Sequence, residues 1–191
     1  GSGPALALAA ELVLGTGDTC VMAAPSFELY AWAAARREAR VVAVPCRAAD
    51  RFAFPEEGFR RAIEDGAVPP RLVVIGLPDN PTGTAPSVRF ITGMAKAHRR
   101  TLFLVDEAYV EFYGTTVVPQ AVRQPNLLVT RTFSKALGLA GERIGGLVGH
   151  AGVIELLARI NVPYPVTATA AAVGLAALED KAHVRESVRV S

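Results

Sequence analysis

Short runs of consecutive apolar residues recur along the chain and predict strands that are covered on both faces. The most regular runs are residues 71–76 (RLVVIG) and residues 101–105 (TLFLV). Strands of this kind are typical of parallel sheets, because helices cover both faces of such a sheet. The predicted strands are residues 19–24, 40–44, 71–76, 101–105, 127–129 and 144–148.

Segments with helical features separate these strands. Pro4 suits the first turn of a helix that ends before Gly15, and Phe59 and Ile63 lie four residues apart on one helix face. The alternation of strands and helices predicts an α/β fold with a parallel sheet. The predicted helices are residues 4–14, 28–38, 55–65, 86–99, 151–160 and 167–178.

Length and composition fit this fold and argue against several classes of function. The chain has 191 residues, of which 51% are hydrophobic, enough for one domain with a piece of another. The net charge of +2 is small, and no basic stripe is interleaved with aromatic residues, which argues against a nucleic-acid partner. No apolar run is long enough to span a membrane. Cys20 and Cys46 lack CxxC spacing, so we expect reduced core thiols in a cytoplasmic protein.

The chain begins inside sequence that is already predicted to be structured. It lacks an initiator methionine, and Gly1 and Ser2 are either native or an N-terminal addition. We therefore expect these residues to be a fragment of a longer protein.

A polar loop follows the apolar run 127–129 and holds the strongest candidate chemistry. Only three of the twenty basic side chains are lysines, and Lys135 lies in this loop beside Thr132 and Ser134, with Arg143 further along. A primary amine condenses with an aldehyde, whereas arginine binds phosphate oxygens in a bidentate fork. An amine beside a phosphate cradle describes a site for pyridoxal phosphate. The alternative is a loop lysine in solvent.

Four more candidate side chains follow other predicted strands. Phe27, Asn80, Asp106 and Tyr109 each come shortly after a strand, as Lys135 does. In parallel α/β sheets ligands bind beyond the carboxyl ends of the strands, which meet at one edge. We therefore expect these five side chains to lie around one pocket.

Each of these side chains has a physical task if the ligand is pyridoxal phosphate. Asp106 can pair with a protonated ring nitrogen, which makes the ring an electron sink. Asn80 and Tyr109 can donate hydrogen bonds to the phenolic oxygen, and Phe27 can stack on the ring. Lys135 can hold the cofactor covalently and, once freed, act as the general base that moves the substrate proton.

The phosphate group has separate candidate ligands. Thr132, Ser134 and Arg143 offer two hydroxyls and a guanidinium. The amides of Gly1–Gly3 would lie at the N-terminus of the first predicted helix, where free N–H groups attract anions.

Structural explanations stay open for each residue taken alone. Asp106 also suits a metal ligand or a helix cap, and Asn80 lies in a sequence typical of a plain turn. Phe27 also suits the core, and Glu142 is an alternative partner for Arg143. The sequence shows no zinc-ligand spacing, so no metal is predicted, and it has no Gly-rich nucleotide-binding motif.

In combination, these residues resemble the fold type I aminotransferases, and among them the histidinol-phosphate aminotransferase group. The resemblance extends over nearly the whole chain, with the motifs in the same order and at the same spacing. The matching segments are residues 25–27 (PSF), 80–83 (NPTG), 106–112 (DEAYVEF), 131–135 (RTFSK), 138–141 (GLAG) with Arg143, 163–166 (PYPV) and 176–180 (AALED).

The resemblance implies a role for each residue around the cofactor ring. It implies that Lys135, Asp106 and Tyr109 are catalytic, with Lys135 carrying the cofactor and Asp106 binding the pyridine nitrogen. It assigns Asn80 and Tyr109 to the phenolic oxygen and Phe27 to the ring face.

The resemblance also implies which residues bind the phosphate. It assigns Ser134 and Arg143 to this group, beside Thr132. Ser2 and Gly3 are expected to contribute as well. Here this chain departs from the family, in which an acidic pair follows the corresponding Gly-Ser motif.

The implied architecture is the large domain of a fold type I enzyme, a three-layer α/β sandwich with a mostly parallel sheet. Residues 1–160 would form the core that binds pyridoxal phosphate. Residues 161–191 would form its helical end, leading to a small domain outside this chain.

The implied reaction moves an amino group between histidinol phosphate or a related amino acid and 2-oxoglutarate, in a homodimer. Within the same fold, phosphothreonine decarboxylation and aromatic amino acid transamination stay open. A truncated, non-catalytic binding or dimerisation domain is the alternative from another class. The intact Lys135 and Asp106 argue against it.

Overall fold

Six strands form the centre of the protein in the computed structural model, which describes residues 1–190. They are β1 (Thr19–Ala24), β2 (Arg40–Pro45), β3 (Leu72–Gly76), β4 (Leu102–Asp106), β5 (Leu127–Thr132) and β6 (Gly145–Gly149). Their order in the sheet is β2-β1-β3-β4-β5-β6. All neighbours are parallel except β5 and β6, which are antiparallel. The predicted α/β fold with a mostly parallel sheet is confirmed.

Helices precede, separate and follow the strands. They are α1 (Ser2–Val13), α2 (Glu28–Ala35), α3 (Glu56–Glu64), α4 (Val88–Ala97), α5 (Val110–Tyr113), α6 (Val118–Ala121), α7 (Ala151–Ile160), α8 (Ala168–Glu179) and α9 (Lys181–Arg189), with a 3₁₀ turn at Ala48–Asp50. Within residues 1–190, no helix has both the length and the apolar character needed to cross a membrane.

The sheet is buried between two layers of helices. Alternate residues of β3 point to opposite faces: Val73 and Ile75 belong to one apolar cluster, and Leu72 and Val74 to the other. The first cluster includes residues of α3, α4 and α6, and the second includes residues of α1, α2 and α7. Burial on both faces explains why the central strand β3 has no polar side chain.

The structure differs from the sequence-based boundaries where the pattern carried little information. The helix predicted to reach Glu38 ends at Ala35, and Glu38 has a left-handed backbone with φ of 54°. Strand β5 continues beyond Val129 to Thr132, because its polar end pairs with the glycine-rich β6. The charged segment after Leu178 forms α9, and the short helices α5 and α6 were not predicted.

Candidate active site

One cavity lies beyond the carboxyl ends of the parallel strands. Its volume is about 160 Å³. The side chains that follow β1, β3, β4 and β5 all reach it, as expected for a parallel sheet. All ten candidate residues line this cavity: Ser2, Gly3, Phe27, Asn80, Asp106, Tyr109, Thr132, Ser134, Lys135 and Arg143.

Asp106 is the last residue of β4 and is only 4% exposed. Its Oδ1 accepts hydrogen bonds from the Thr130 hydroxyl at 2.7 Å and the Ala108 N–H at 3.2 Å. Its Oδ2 accepts one from the Tyr30 hydroxyl at 3.0 Å. Burial raises the pKa of Asp106, and these three donors with the Lys135 charge oppose that rise. The carboxyl group is therefore held in one orientation beside the cavity.

Lys135 lies in the loop after β5, on the cavity wall next to Tyr109. Its Nζ is 5.0 Å from the centroid of the Tyr109 ring, within the range of a cation–π interaction. Two backbone hydrogen bonds shape the loop: Gly138 N–H donates to the Lys135 carbonyl at 2.9 Å, and Leu139 N–H donates to the Phe133 carbonyl at 3.0 Å. The amine is thus presented from an ordered turn.

Arg143 and the N-terminus of α1 lie side by side. The Arg143 Nη1 donates to the Ala140 carbonyl at 2.7 Å. A Cβ atom at Gly1 would lie 2.7 Å from Arg143 Nη2, and one at Gly145 would lie 2.8 Å from the Ser2 nitrogen. The two glycines therefore allow a guanidinium, the start of a helix and β6 to approach closely. Such an arrangement favours an anion.

Thr132 and Ser134 form a local hydrogen-bonded pair. The Thr132 hydroxyl donates to Ser134 Oγ at 3.0 Å and accepts from the Ser134 N–H at 3.2 Å. Thr132 is 6% exposed, whereas Ser134 is partly exposed. The geometry shows Thr132 ordering the loop and orienting the Ser134 hydroxyl.

Tyr30 is a cavity residue that the sequence analysis missed. It is buried in α2, its hydroxyl donates to Asp106, and its ring meets that of Phe27 edge to face, with centroids 5.7 Å apart. Burial raises the pKa of Tyr30 well above its ordinary value, so the phenol stays protonated and can donate. Its position one helical turn after Phe27 was the only sequence signal.

Glu107 has a structural environment. It is fully buried, and its carboxylate accepts from the Thr116 hydroxyl and from the Val117 N–H at 2.7 Å. Arg131 Nη2 lies 2.7 Å from Glu107 Oε2. Within residues 1–190, no group of three or more His, Cys, Asp or Glu residues can hold a metal ion.

Curated proteins with similar sequences include histidinol-phosphate aminotransferases. A histidinol-phosphate aminotransferase from Roseiflexus castenholzii is 41% identical over 181 residues, which cover 94% of this chain and 47% of that protein. Histidinol-phosphate aminotransferase 1 from Cupriavidus pinatubonensis is 38% identical over 196 residues, with coverage of 100% and 50%. The chain spans about half the length of the curated relatives it matches.

A solved structure and a family profile agree with these relatives. The crystal structure of histidinol-phosphate aminotransferase from Sinorhizobium meliloti in complex with pyridoxal-5'-phosphate superposes with a TM-score of 0.87 at 28% identity. The match covers 96% of this chain and 50% of that one. The profile described as aminotransferase class I and II matches residues 1–191. This chain therefore belongs to the class I and II aminotransferase family.

Proposed function

We propose that this chain is the cofactor-binding part of a pyridoxal phosphate-dependent aminotransferase. The observation that carries the proposal is the single cavity lined by the Lys135 amine, the Asp106 carboxyl group and the Arg143 guanidinium. Family membership supports the reaction class. The cofactor bound in the Sinorhizobium meliloti enzyme supports the cofactor.

The donor set of the cavity fits this cofactor from end to end. The Arg143 guanidinium and the N-terminus of α1 suit the phosphate, with the Ser134 hydroxyl beside them. The Phe27 ring suits stacking on the pyridine ring, and the buried Asp106 suits the ring nitrogen. Asn80 offers an amide N–H₂ to the phenolic oxygen, since no group within residues 1–190 hydrogen-bonds its side chain.

The residues of the chain would divide the chemistry among them. When bound, pyridoxal phosphate supplies an electron sink for the pair released as the substrate Cα–H bond breaks. Asp106 would keep a proton on the ring nitrogen, because its carboxylate is buried and oriented. Lys135 would carry the cofactor and later move the proton from the substrate carbon. Tyr109 and Asn80 would favour the anionic form of the phenolic oxygen by donating hydrogen bonds.

The substrate proposal follows the curated relatives. Those from Roseiflexus castenholzii and Cupriavidus pinatubonensis are both named histidinol-phosphate aminotransferase. We propose histidinol phosphate or a related amino acid as the amino donor and 2-oxoglutarate as the acceptor. A panel that includes aromatic amino acids and phosphothreonine separates this proposal from its alternatives, since decarboxylation releases carbon dioxide and transamination does not.

The C-terminal helices support a further part of the proposal, a homodimer. Beyond residue 160, several large apolar side chains are exposed, and Tyr164 is 94% exposed. This number of exposed apolar side chains in one segment suits a surface that another part of the enzyme covers. We propose that residues 1–160 form the cofactor-binding core and that residues 161–191 form its helical end, which leads to a small domain. The exposed apolar side chains of this end would contact the rest of a dimeric enzyme. Residue 191 lies outside the described residues. Sedimentation that detects only a monomer contradicts the dimer.

A cytoplasmic location accompanies the enzyme proposal. Cys20 and Cys46 are free and buried. Unpaired thiols suit a reducing compartment, where disulfides are rare. Cell fractionation tests the location directly.

Covalent labelling tests the cofactor proposal. The purified chain is mixed with pyridoxal phosphate and treated with borohydride, which fixes the cofactor to the amine that carries it. We expect the label on Lys135, and none in a Lys135→Ala variant, whereas Lys96→Ala removes an exposed lysine outside the cavity. Equal labelling of Lys135→Ala and the unmodified protein contradicts the proposal. Labelling of Lys135 without amino-group transfer by the longer protein of which this chain is proposed to be part points to the non-catalytic alternative.

A further inference from the structure

Ser26 and Asp79, each of which precedes a cavity residue in the sequence, are connected by a hydrogen bond. Ser26 precedes Phe27 after β1, and Asp79 precedes Asn80 after β3. The Ser26 hydroxyl donates to Asp79 Oδ1 at 2.7 Å. The same Oδ1 accepts the Asn80 N–H at 2.8 Å. A single carboxyl oxygen therefore connects the loop that carries Phe27 with the loop that carries Asn80.

The backbone of Asp79 is itself held within the turn that follows β3. Its N–H donates to the Thr84 carbonyl at 2.9 Å, and its carbonyl accepts the Gly83 N–H at 2.8 Å. A Cβ atom at Gly76, the last residue of β3, would lie 2.5 Å from Asp79 Cα. The glycine thus lets the turn fold back onto the strand end. A side chain fixed in this way can define the position of whatever it binds.

The surroundings of the second carboxyl oxygen show that Asp79 does not stabilise the fold through both of its oxygens. Oδ2 is buried and has no hydrogen-bond partner within residues 1–190, and the residue is only 3% exposed. Burying an ionisable group without partners for both oxygens is unfavourable. An acid at this position therefore destabilises the fold through Oδ2. We infer that its role lies in the two hydrogen bonds that Oδ1 accepts, from Ser26 and Asn80.

We propose that Asp79 is a positioning residue that sets Phe27 and Asn80 in one relative arrangement for the cofactor ring. The proposal rests on the pyridoxal phosphate site proposed above. Phe27 would meet the ring face and Asn80 the ring oxygen, so a shift of either loop misaligns one contact. The acceptor at Oδ1 performs this task. The negative charge is not required, because a neutral carboxyl or carboxamide keeps an oxygen there.

Three variants separate the acceptor from the charge. Asp79→Ala removes the acceptor, Asp79→Asn keeps an acceptor oxygen without the charge, and Ser26→Ala removes one of the two donors. We expect the dissociation constant for pyridoxal phosphate, measured by equilibrium dialysis, to rise about tenfold in Asp79→Ala. Asp79→Asn should stay within about twofold of the unmodified chain, and Ser26→Ala should lie between them.

Amide hydrogen exchange provides a readout that needs no cofactor. The Asn80 N–H loses its acceptor in Asp79→Ala and keeps it in Asp79→Asn. We expect exchange at Asn80 to be about tenfold faster in the first variant and nearly unchanged in the second. Ser26→Ala leaves the Asn80 bond in place, so it should affect cofactor binding more than this amide.

The outcomes distinguish the two proposals. Equal cofactor affinity and equal Asn80 exchange in Asp79→Ala and the unmodified chain overturn the positioning role. Weakening in Asp79→Asn as large as in Asp79→Ala also overturns it, because the charge would then be the required feature. If the unmodified chain binds no cofactor, the proposed function fails, and the positioning role for this cofactor fails with it. If Asp79→Ala does not fold, the affinity of Ser26→Ala decides: an unchanged value overturns the proposal.

Discussion

The ends of β3 and β4 carry buried acids in different surroundings. At the end of β4, both oxygens of Asp106 accept hydrogen bonds, from Thr130, Ala108 and Tyr30. After β3, Asp79 accepts two hydrogen bonds on one oxygen and none on the other within residues 1–190. Burial raises the pKa of both acids. The distribution of hydrogen-bond donors, more than the depth of burial, therefore distinguishes Asp106, which faces the cavity, from Asp79, which holds two loops together.

Glu107 shows a third solution at the end of β4. It is more deeply buried than its neighbour Asp106, and it is paired with Arg131 at 2.7 Å and hydrogen-bonded by the Val117 N–H. The Glu107 carboxylate thereby connects the end of β4 to the loop before α6 and to β5. Asp106, the last residue of β4, and Glu107, the residue after it, thus point in opposite directions. Asp106 faces the cavity, and Glu107 faces Arg131 and Val117.

The largest expected effect is that of Asp106→Ala on catalysis. Without this carboxylate, no group would hold a proton on the cofactor ring nitrogen, and we expect the rate of amino-group transfer to fall about 10²- to 10³-fold. The measurement is kcat with a saturating amino donor, made on the longer protein of which this chain is proposed to be part. Asp65→Ala, which removes an exposed acid after α3, is the matched control. A fall of less than about tenfold would contradict the role of Asp106.

The next prediction concerns the structural role of Glu107. Glu107→Ala leaves Arg131 without its close partner and leaves the Val117 N–H without an acceptor, so we expect a loss of about 3 kcal/mol in the free energy of unfolding. Urea denaturation measures the loss. Glu111→Ala is the control, because Glu111 lies 3.9 Å from the same arginine and is partly exposed. We expect that variant to lose no more than about 1 kcal/mol. Equal losses of unfolding free energy in Glu107→Ala and Glu111→Ala would contradict the structural role of Glu107.

The sequence contains enough information for the sheet but not for the pairs around the site. Strands β3 and β4 were predictable because they are apolar on both faces, and a parallel sheet then brings Asn80, Asp106 and Lys135 to one edge. The antiparallel direction of β6 was not predicted, since a glycine-rich strand has no pattern of side chains that indicates its neighbour.

Contacts between distant residues were also beyond the sequence analysis. Ser26 and Asp79 are 53 positions apart, and Tyr30 and Asp106 are 76 apart. Neither pair belongs to a short motif, and each residue taken alone looks like part of a turn or a core helix. A single sequence indicates which residues follow which strand, whereas the side-chain packing decides which of them bond to each other.

The pH dependence of stability tests the unpartnered oxygen of Asp79. Burial raises the pKa of Asp79 to about 6 from 3.8. Its contribution to stability is therefore full below the lower value and is lost as the pH rises through the higher one. The Asp79→Asn variant cannot ionise at this position. The difference in the free energy of unfolding between this variant and the unmodified chain should therefore increase by about 2 to 3 kcal/mol, in favour of the variant, from about pH 4 to about pH 8.

Three titratable groups lie close enough to Asp79 to affect that experiment. Asp106, Tyr30 and Cys46 all interact with it electrostatically. Burial raises the pKa of Tyr30 and Cys46 above their ordinary values, so neither ionises in this pH range. The difference between the two unfolding curves therefore reports Asp79 together with its coupling to Asp106. Asp65→Asn, which replaces an exposed acid, serves as the control. A flat difference between Asp79→Asn and the unmodified chain would contradict the raised pKa of Asp79.

The smallest expected effect comes from Tyr30→Phe, which makes the two acids alike. The variant keeps the ring that contacts Phe27 and removes the hydroxyl that donates to Asp106 Oδ2. Asp106 would then have donors on one oxygen only, as Asp79 does. Because that hydrogen bond lowers the pKa of Asp106, its loss should raise the pKa of this carboxyl group. Carboxyl ¹³C NMR titration measures the shift, with the exposed Tyr113→Phe as control. An unchanged Asp106 pKa would mean that the remaining donors, Thr130 and Ala108, already hold the carboxylate without help from Tyr30.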